Sequence, residues 1–457
     1  MRNLCSLVTA FIFIFFLSTC GSGLCPIGAN LSTCTQNGYS SGTITFGNPI
    51  VSIAPTFQGL LDTTYNATGY NFHNIGILIQ EPSAITVDLA GNYYIASSIT
   101  QENSVFKFLS SGPSDTTFAF FGWLALPMDG TNWTDHTLAA ATKPNGSIVV
   151  SGYSDWNSLG ANHCTFMQID TSSNLDTTFG SSGVAHHTLG STDCYGTAVV
   201  SETDNKITFV GETQDPANNR AFIARLNNDG TIDTAFGTSG STKLAIAPNG
   251  NSKRFTALQH LVNGKFIAGG YVQTATGYRF LVARFFGNGL LDTAFGSGLG
   301  YSTIDVSGAN LENRATSLIV DSSDNIYLGG YSHNGANYQF AAAKFNSNGS
   351  ADTTFGTSGA ALYNINAGDD RANAILLQSD GKILLGGYYT SGTQNMALVR
   401  FHSNGSLDTT FGTAGSVQFA DFSGMDDRIM AFKALSTNTV LAAAYGDSNG
   451  ASVLKLK

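Results

Sequence analysis

The sequence predicts an all-β fold, a seven-bladed β-propeller with four-stranded blades, and three observations carry that prediction. An aspartate followed by two small residues and an aromatic recurs at Asp62, Asp115, Asp176, Asp233, Asp292, Asp352 and Asp408, spaced by 53, 61, 57, 59, 60 and 56 residues. A fixed period of this size marks a repeat architecture in which each unit is one supersecondary element. Three apolar runs precede each aspartate and a fourth follows it. Around Asp408 they are Ala372 to Leu377, Lys382 to Tyr388, Met396 to Phe401 and Ser416 to Ala420. Ser379-Asp380-Gly381 joins the first two and is a hairpin-turn signal. Composition is the third observation: charged residues are 11%, there are 52 glycines, and good helix formers are scarce after the N-terminus. Four short strands per unit fit a propeller, whereas a solenoid would need capping repeats that the sequence lacks.

Taken in order, residues 1–20 read as a signal peptide. Arg2 precedes the apolar run Leu7 to Leu17, which is too short to span a bilayer and is followed by small residues. Leu17-Ser18-Thr19-Cys20-Gly21 resembles a bacterial lipoprotein box, with Thr19 where Gly or Ala is usual. Plain secretion and a lipid anchor at Cys20 both stay open, and either takes the chain out of the cytoplasm. Residues 21–48 have no repeat counterpart and form a leader; 49–457 form the propeller. In an oxidising compartment Cys25 with Cys34 and Cys164 with Cys194 are candidate disulfides. The last unit stops after three strands, while an extra Asp62 motif and a strand-like run, Tyr70 to Gln80, precede the first unit near Ala84. The N-terminal strand is therefore expected to complete the last blade and remove an exposed edge.

Charge recurs with the repeat. Lys107, Arg225, Arg284, Lys344 and Arg400 each lie eight residues before Asp115, Asp233, Asp292, Asp352 and Asp408, and Gln168 takes that place before Asp176. A cation in a propeller strand is partly buried and needs a carboxylate, so these are expected as structural ion pairs that fix each corner. Units three to six carry the pattern best, as in Ala224-Arg225-Leu226-Asn227-Asn228-Asp229-Gly230-Thr231-Ile232-Asp233-Thr234-Ala235-Phe236-Gly237. This pattern resembles the delta-60 repeat family, predicted bacterial β-propellers, often secreted, with no established biochemical activity. The resemblance runs over about residues 50–457. The first unit departs from it, with Ala119 in place of the glycine after Phe118. It implies a fold and no chemistry.

Candidate binding residues lie where first strands begin. Arg254, Arg314, Arg371 and Arg428 share one register, three of them after a polar or acidic pair. They read as an anion or carboxylate site at the channel mouth, or as a girdle of Arg–Asp pairs stitching adjacent blades. Tyr153, Tyr271, Tyr331, Tyr388 and Tyr445 follow the second strand in one register, which suggests inter-blade packing. Trp156, Tyr278 and Tyr338 lie further out and are the better recognition candidates.

Other chemistry finds little support. The net charge of −10 argues against nucleic acid or an anionic membrane as partner, beyond the lipid at Cys20. The eight histidines are scattered, and adjacent His186 and His187 in a strand would face opposite ways. Asp321 to Asn325 lacks the glycine and distal glutamate of a calcium loop. Gly446-Asp447-Ser448-Asn449-Gly450 matches the nucleophile-elbow pattern but lies between strands, not before a helix. No cofactor, metal or catalytic residue is expected. The sequence reads as a monomeric, extracytoplasmic, non-enzymatic scaffold that binds a protein or glycan through one face. Its rivals are a hydrolase or lyase at the channel mouth, which would need irregular His or carboxylates from several blades, and a purely structural surface protein.

Overall fold

The computed structural model describes residues 62, 70–73, 80–99, 103–119, 122–126, 136–155, 161–214, 219–246, 252–419, 426–436, 439–446 and 450–456. The chain divides into two units, Met1–Ser52 and Ile53–Lys457, and every described residue belongs to the second. Cys20, Cys25, Cys34 and Trp156 lie outside the described residues, as do the expected signal peptide and leader.

Seven four-stranded sheets follow one another along the chain. Blade 1 runs from Gln80–Val87 to Trp123–Leu126, blade 2 from His136–Thr142 to Val184–His187, and blade 3 from Asp193–Ser201 to Ser241–Lys243. Blades 4, 5 and 6 start at Lys253–His260, Asn313–Val320 and Asp370–Leu377. Blade 7 comprises Asp427–Ser436, Thr439–Gly446, Gly450–Leu456 and, as its fourth strand, Tyr70–His73. Tyr70 pairs with Leu454 and His73 with Ala451, antiparallel. Upstream, the Asp62 amide donates to the Lys455 carbonyl at 2.8 Å, and Lys455 Nζ lies 3.3 Å from the Asp62 carboxylate. The run Tyr70 to Gln80 is two elements, because Gln80 already opens blade 1. First strands of neighbouring blades touch in sequence, and Asp427–Ser436 touches Gln80–Val87. The fold is a seven-bladed β-propeller.

Middle strands are covered by a neighbouring blade on each face, so they bury residues continuously instead of alternating. The cores accordingly lie between blades. Phe340 and Phe355 of blade 5 pack with Ile383, Leu385, Val399 and Phe401 of blade 6. Phe106 and Phe108 of blade 1 pack with Leu441 and Val453 of blade 7. Each buried side chain of this size contributes about 1.5–3 kcal/mol, so a blade gains most of its stability from its neighbours.

Every first strand is bulged two residues after a rim position, as between Ala315 and Ser317 or Ala372 and Ala374. A bulge leaves one residue outside the ladder. Here that side chain reaches the next blade: Thr197 Oγ1 donates to Phe255 O at 2.6 Å, Thr256 to Ala315 O and Thr316 to Ala372 O at 3.0 Å. Opposite the bulge of blade 5 sits Gly330, where an added Cβ would lie 2.1 Å from the Arg314 carbonyl oxygen. The carbonyl of a rim arginine is thereby pressed onto its neighbour strand.

The aspartate motif closes each blade at the opposite end. Asp408 N donates to Arg400 O at 2.9 Å, and Arg400 Nε returns a 2.8 Å bond to Asp408 Oδ2. Thr410 donates to Oδ1 through its amide and hydroxyl, while Phe411 tucks under the Arg400 guanidinium at 4.2 Å. The same carboxylate pairing occurs between Lys107 and Asp115 (2.9 Å), Arg225 and Asp233 (2.8 Å), Arg284 and Asp292 (2.8 Å), and Lys344 and Asp352 (2.8 Å). The glycine after the aromatic links blades: Gly356, at φ +55, donates to Asn404 O at 2.7 Å, and Gly237 to Asn288 O at 2.7 Å. Blade 2 varies the theme. Gln168 Nε2 donates to Asp176 at 2.7 Å, and the cation comes from the hairpin as Lys143, 2.7 Å from Gln168 Oε1 and 2.6 Å from Asn228 Oδ1. Burial pulls the Lys143 amine down to about 8 against the pull of Asp176.

Candidate functional site

Antiparallel pairing sorts the recurring charges onto two ends of the blades. Leu377 pairs with Ile383 and Ile383 with Phe401 at the corner end, whereas Arg371 pairs with Tyr388 at the other. The rim is therefore made of a residue within the first three of each first strand and its partner near the end of the second. In chain order these pairs are Glu81–Ser98, His136–Tyr153, Tyr195–Glu212, Arg254–Tyr271, Arg314–Tyr331, Arg371–Tyr388 and Arg428–Tyr445.

On blades 4 to 7 the rim is regular. The arginines of blades 5 to 7 each lie over the tyrosine of the preceding blade: Arg314 over Tyr271 at 4.9 Å, Arg371 over Tyr331 at 4.8 Å, Arg428 over Tyr388 at 5.6 Å. Each also meets an acid two residues earlier, with Arg314–Glu312 at 2.8 Å, Arg371–Asp369 at 3.6 Å and Arg428–Asp426 at 3.3 Å. Arg254, the first of the four, contacts Glu212 of blade 3 at 3.4 Å. A guanidinium seated on an aromatic face and paired with a carboxylate is held twice. Tyr278 and Tyr338 join the same stacks, 4.6 Å from Arg314 and 4.0 Å from Arg371. The Tyr338 hydroxyl donates to Glu312 at 2.7 Å, and burial together with that acid pushes its pKa up to about 12. These arginines and tyrosines hold blades to one another.

Blades 1 to 3 are different. His136 stacks on Tyr153 at 4.8 Å, and Tyr195 meets Tyr153 edge-on at 4.8 Å. Tyr195 OH accepts from Asn162 Nδ2 at 3.0 Å. Burial drives the Glu212 carboxyl upward in spite of Arg254 and Arg314, and it drives the His136 imidazole downward in spite of Glu81. Glu81 is 51% exposed, and its one ion pair among the described residues is with Arg428, at 3.9 Å. Among the described residues, the Glu81 carboxylate, the His136 ring and the Tyr153 hydroxyl make no hydrogen bond. The sequence reading missed Glu81, His136, Tyr195 and Glu212. Counting back two residues from each bulge would have found Glu81, His136 and Tyr195, and Glu212 as the ladder partner of Tyr195, but the bulge leaves no sequence mark of its own.

Cys164 and Cys194 are bonded, joining the third strand of blade 2 to the first of blade 3. Nearby, a cavity of about 540 Å³ is lined by His163, His186, His187, Leu189, Ile232 and Ser241. Its histidines are engaged: His187 Nε2 lies 2.9 Å from Gly230 O and His186 Nδ1 3.0 Å from Thr165 Oγ1. No group of three metal-ligating side chains occurs among the described residues.

Four stretches, 202–236, 263–295, 322–355 and 378–411, match the family model described as a domain of unknown function (DUF5122) beta-propeller. The chain is built of β-propeller repeats. Each match ends on the buried aromatic of the corner, Phe236, Phe295, Phe355 or Phe411. No curated protein matches the sequence. Similar solved structures include a catalytically inactive virginiamycin B lyase from Staphylococcus aureus with quinupristin, at 12% identity and TM-score 0.48, covering 85% of this chain and 99% of that one. YCF48 from Cyanidioschyzon merolae is 11% identical at TM-score 0.48, with 84% and 98% covered. The PQQ-bound aldose sugar dehydrogenase from Streptomyces coelicolor is 9% identical at TM-score 0.42, with 85% and 98% covered.

Proposed function

We propose that this protein is a monomeric, extracytoplasmic, non-enzymatic scaffold that binds a protein or glycan partner through the rim of blades 1 to 3. The observation that carries the reading is the break in the rim. Four blades hold rim arginines paired with acids, three of them also lying over tyrosines, whereas Glu81, His136 and Tyr153 make no side-chain hydrogen bond among the described residues. Tyrosine and histidine offer contact area at low entropic cost, which suits a recognition surface. The Cys164–Cys194 bond supports an oxidising compartment.

A glycan array and a pull-down with the mature protein test this. The Glu81→Ala/His136→Ala pair should weaken any captured partner by roughly tenfold or more, the size of a hot-spot loss, with the melting temperature unchanged. Unchanged capture would move the site off this arc. A hydrolase or lyase is the second reading, favoured by Glu81, His136, Tyr195 and Glu212 coming irregularly from three neighbouring blades. Turnover of a screened polysaccharide or ester, lost in the same double variant, would replace the scaffold reading with that one.

A further inference from the structure

The regular rim shows what one complete rim position contains. A tyrosine ends the second strand of one blade, the next blade supplies an arginine that lies over it, and an acid two residues before that arginine pairs with it. Tyr331, Arg371 and Asp369 form such a set, as do Tyr388, Arg428 and Asp426. Between blades 2 and 3 the set is present with one member missing. Tyr153 is the tyrosine, and Asp193 stands two residues before the rim position exactly where the acids Glu312, Asp369 and Asp426 stand, but the rim residue is Tyr195. The tyrosine and the acid remain where the arginine is withheld.

What fills the position instead is aromatic and acidic. His136, Tyr153 and Tyr195 form a contiguous cluster, with ring centroids 4.8 Å apart at both contacts. Three carboxylates surround it. Glu81 precedes the His136 blade on the rim, Asp193 accepts from Asn162 N at 2.7 Å, and Glu212 lies across the ladder from Tyr195. Two cations border this set, Arg254 at 3.4 Å from Glu212 and Arg428 at 3.9 Å from Glu81, and among the described residues Asp193 has no cation partner. Aromatic faces bordered by carboxylates attract an organic cation through the ring quadrupole and the field of the acids together.

We infer that the rim between blades 2 and 3 is a subsite for an organic cation, an alkylammonium or guanidinium group of the partner, which supplies the positive charge that the absent arginine would bring. It rests on the rim-binding reading above and names the chemical class that rim accepts. The cation would lie against His136, Tyr153 and Tyr195, with Asp193 and Glu81 as its counter-charges. No bond is made or broken.

The test uses the full chain, with tetramethylammonium and methylguanidinium chloride as probes against sodium chloride at equal ionic strength, read through the His136 imidazole resonances. A saturable shift with either organic cation, absent with sodium, is expected. Tyr195→Arg restores the arginine of the repeat and should occupy the subsite from within, weakening both probes by roughly tenfold. Tyr153→Ala should weaken them similarly, and Tyr153→Phe, which keeps the ring, should bind within about twofold. The absence of a saturable shift overturns the inference, as does a folded Tyr195→Arg chain that binds like the parent; if that variant does not fold, Tyr153→Ala decides alone. A neutral methyl glycoside that shifts the same resonances while both cations fail would leave the rim as a binding face and discard the cation. Cation binding together with partner capture that ignores Glu81→Ala/His136→Ala would do the reverse.

Discussion

Asp408 and Asp370 are both fully buried, at 0% exposure, yet their carboxyls are driven in opposite directions. Asp408 belongs to the corner of blade 6 and Asp370 to its rim, one residue before Arg371. Burial raises both. At the corner, bonds from Thr410 and the Arg400 guanidinium outweigh that cost and hold Asp408 down to about 2. At the rim, Asp370 has backbone amides, with those of Ile365 (2.6 Å) and Asn366 (3.3 Å) on one oxygen, but no cation, and burial prevails, leaving it at about 6. Its other oxygen, Oδ1, is buried without a hydrogen bond. Depth does not set the state of a carboxylate; the partner does. The corner carboxylate thus stabilises its end of the blade at neutral pH, whereas Asp370 at the other end is a buried carboxylate with no cation beside it.

The largest break in that contrast should come from Asp408→Ala, which leaves the Arg400 guanidinium without its carboxylate. A loss of about 3–5 kcal/mol is expected in chemical denaturation. The same bond has a pH signature. The folded pKa lies below the unfolded value of 3.8, so its contribution is complete above about pH 4 and disappears as pH falls towards 2. Asp370 has the opposite sign. Its folded pKa lies above 3.8, so its ionisation penalty is absent below about pH 4 and complete above about pH 6. Asp370→Asn keeps an acceptor for the Ile365 amide and removes the charge. It should stabilise by about 1–2 kcal/mol at pH 7.5 and by much less at pH 4, compared by melts at the two pH values. A destabilised variant at both would show that the ionised carboxylate is structural.

The smallest test sharpens the corner's regularity. Ala119 occupies a left-handed backbone position, φ +43, where blades 2, 3, 4, 5 and 6 place Gly180, Gly237, Gly296, Gly356 and Gly412. Side chains are strained there, so Ala119→Gly should stabilise by about 1 kcal/mol, seen as a small rise in melting temperature. No change would mean that blade 1 has adapted its corner to the alanine.

Much of the corner was legible along the chain. An ion pair between residues eight apart, as in Arg400 and Asp408, is closed by a single turn, so its geometry follows from local sequence. The rim was legible only in part. Arg254, Arg314, Arg371 and Arg428 stood out by their shared register, but what they touch did not. Arg371 meets Tyr331 of another blade, and Arg428 meets Glu81 from the far end of the described chain. Tyr278 and Tyr338, singled out as recognition candidates, lie against arginines, because a cation takes an aromatic face that the neighbouring blade presents.

By itself the sequence determined the period, the number of units, the four strands of each and the pairing within every corner. These depend on turns, alternation and short separations, which act along the chain. Only the tertiary structure decided which side chains meet across blade boundaries. It set the bond from Asp62 to Lys455 that joins the two ends of the propeller, and the arginine-over-tyrosine stacks of blades 4 to 7. It also set the edge-on contact of Tyr153 with Tyr195 where that stack is interrupted. The physical reason is that a blade buries its faces only against neighbours, so inter-blade contacts are specified by the packing of sheets and not by any fixed spacing in sequence.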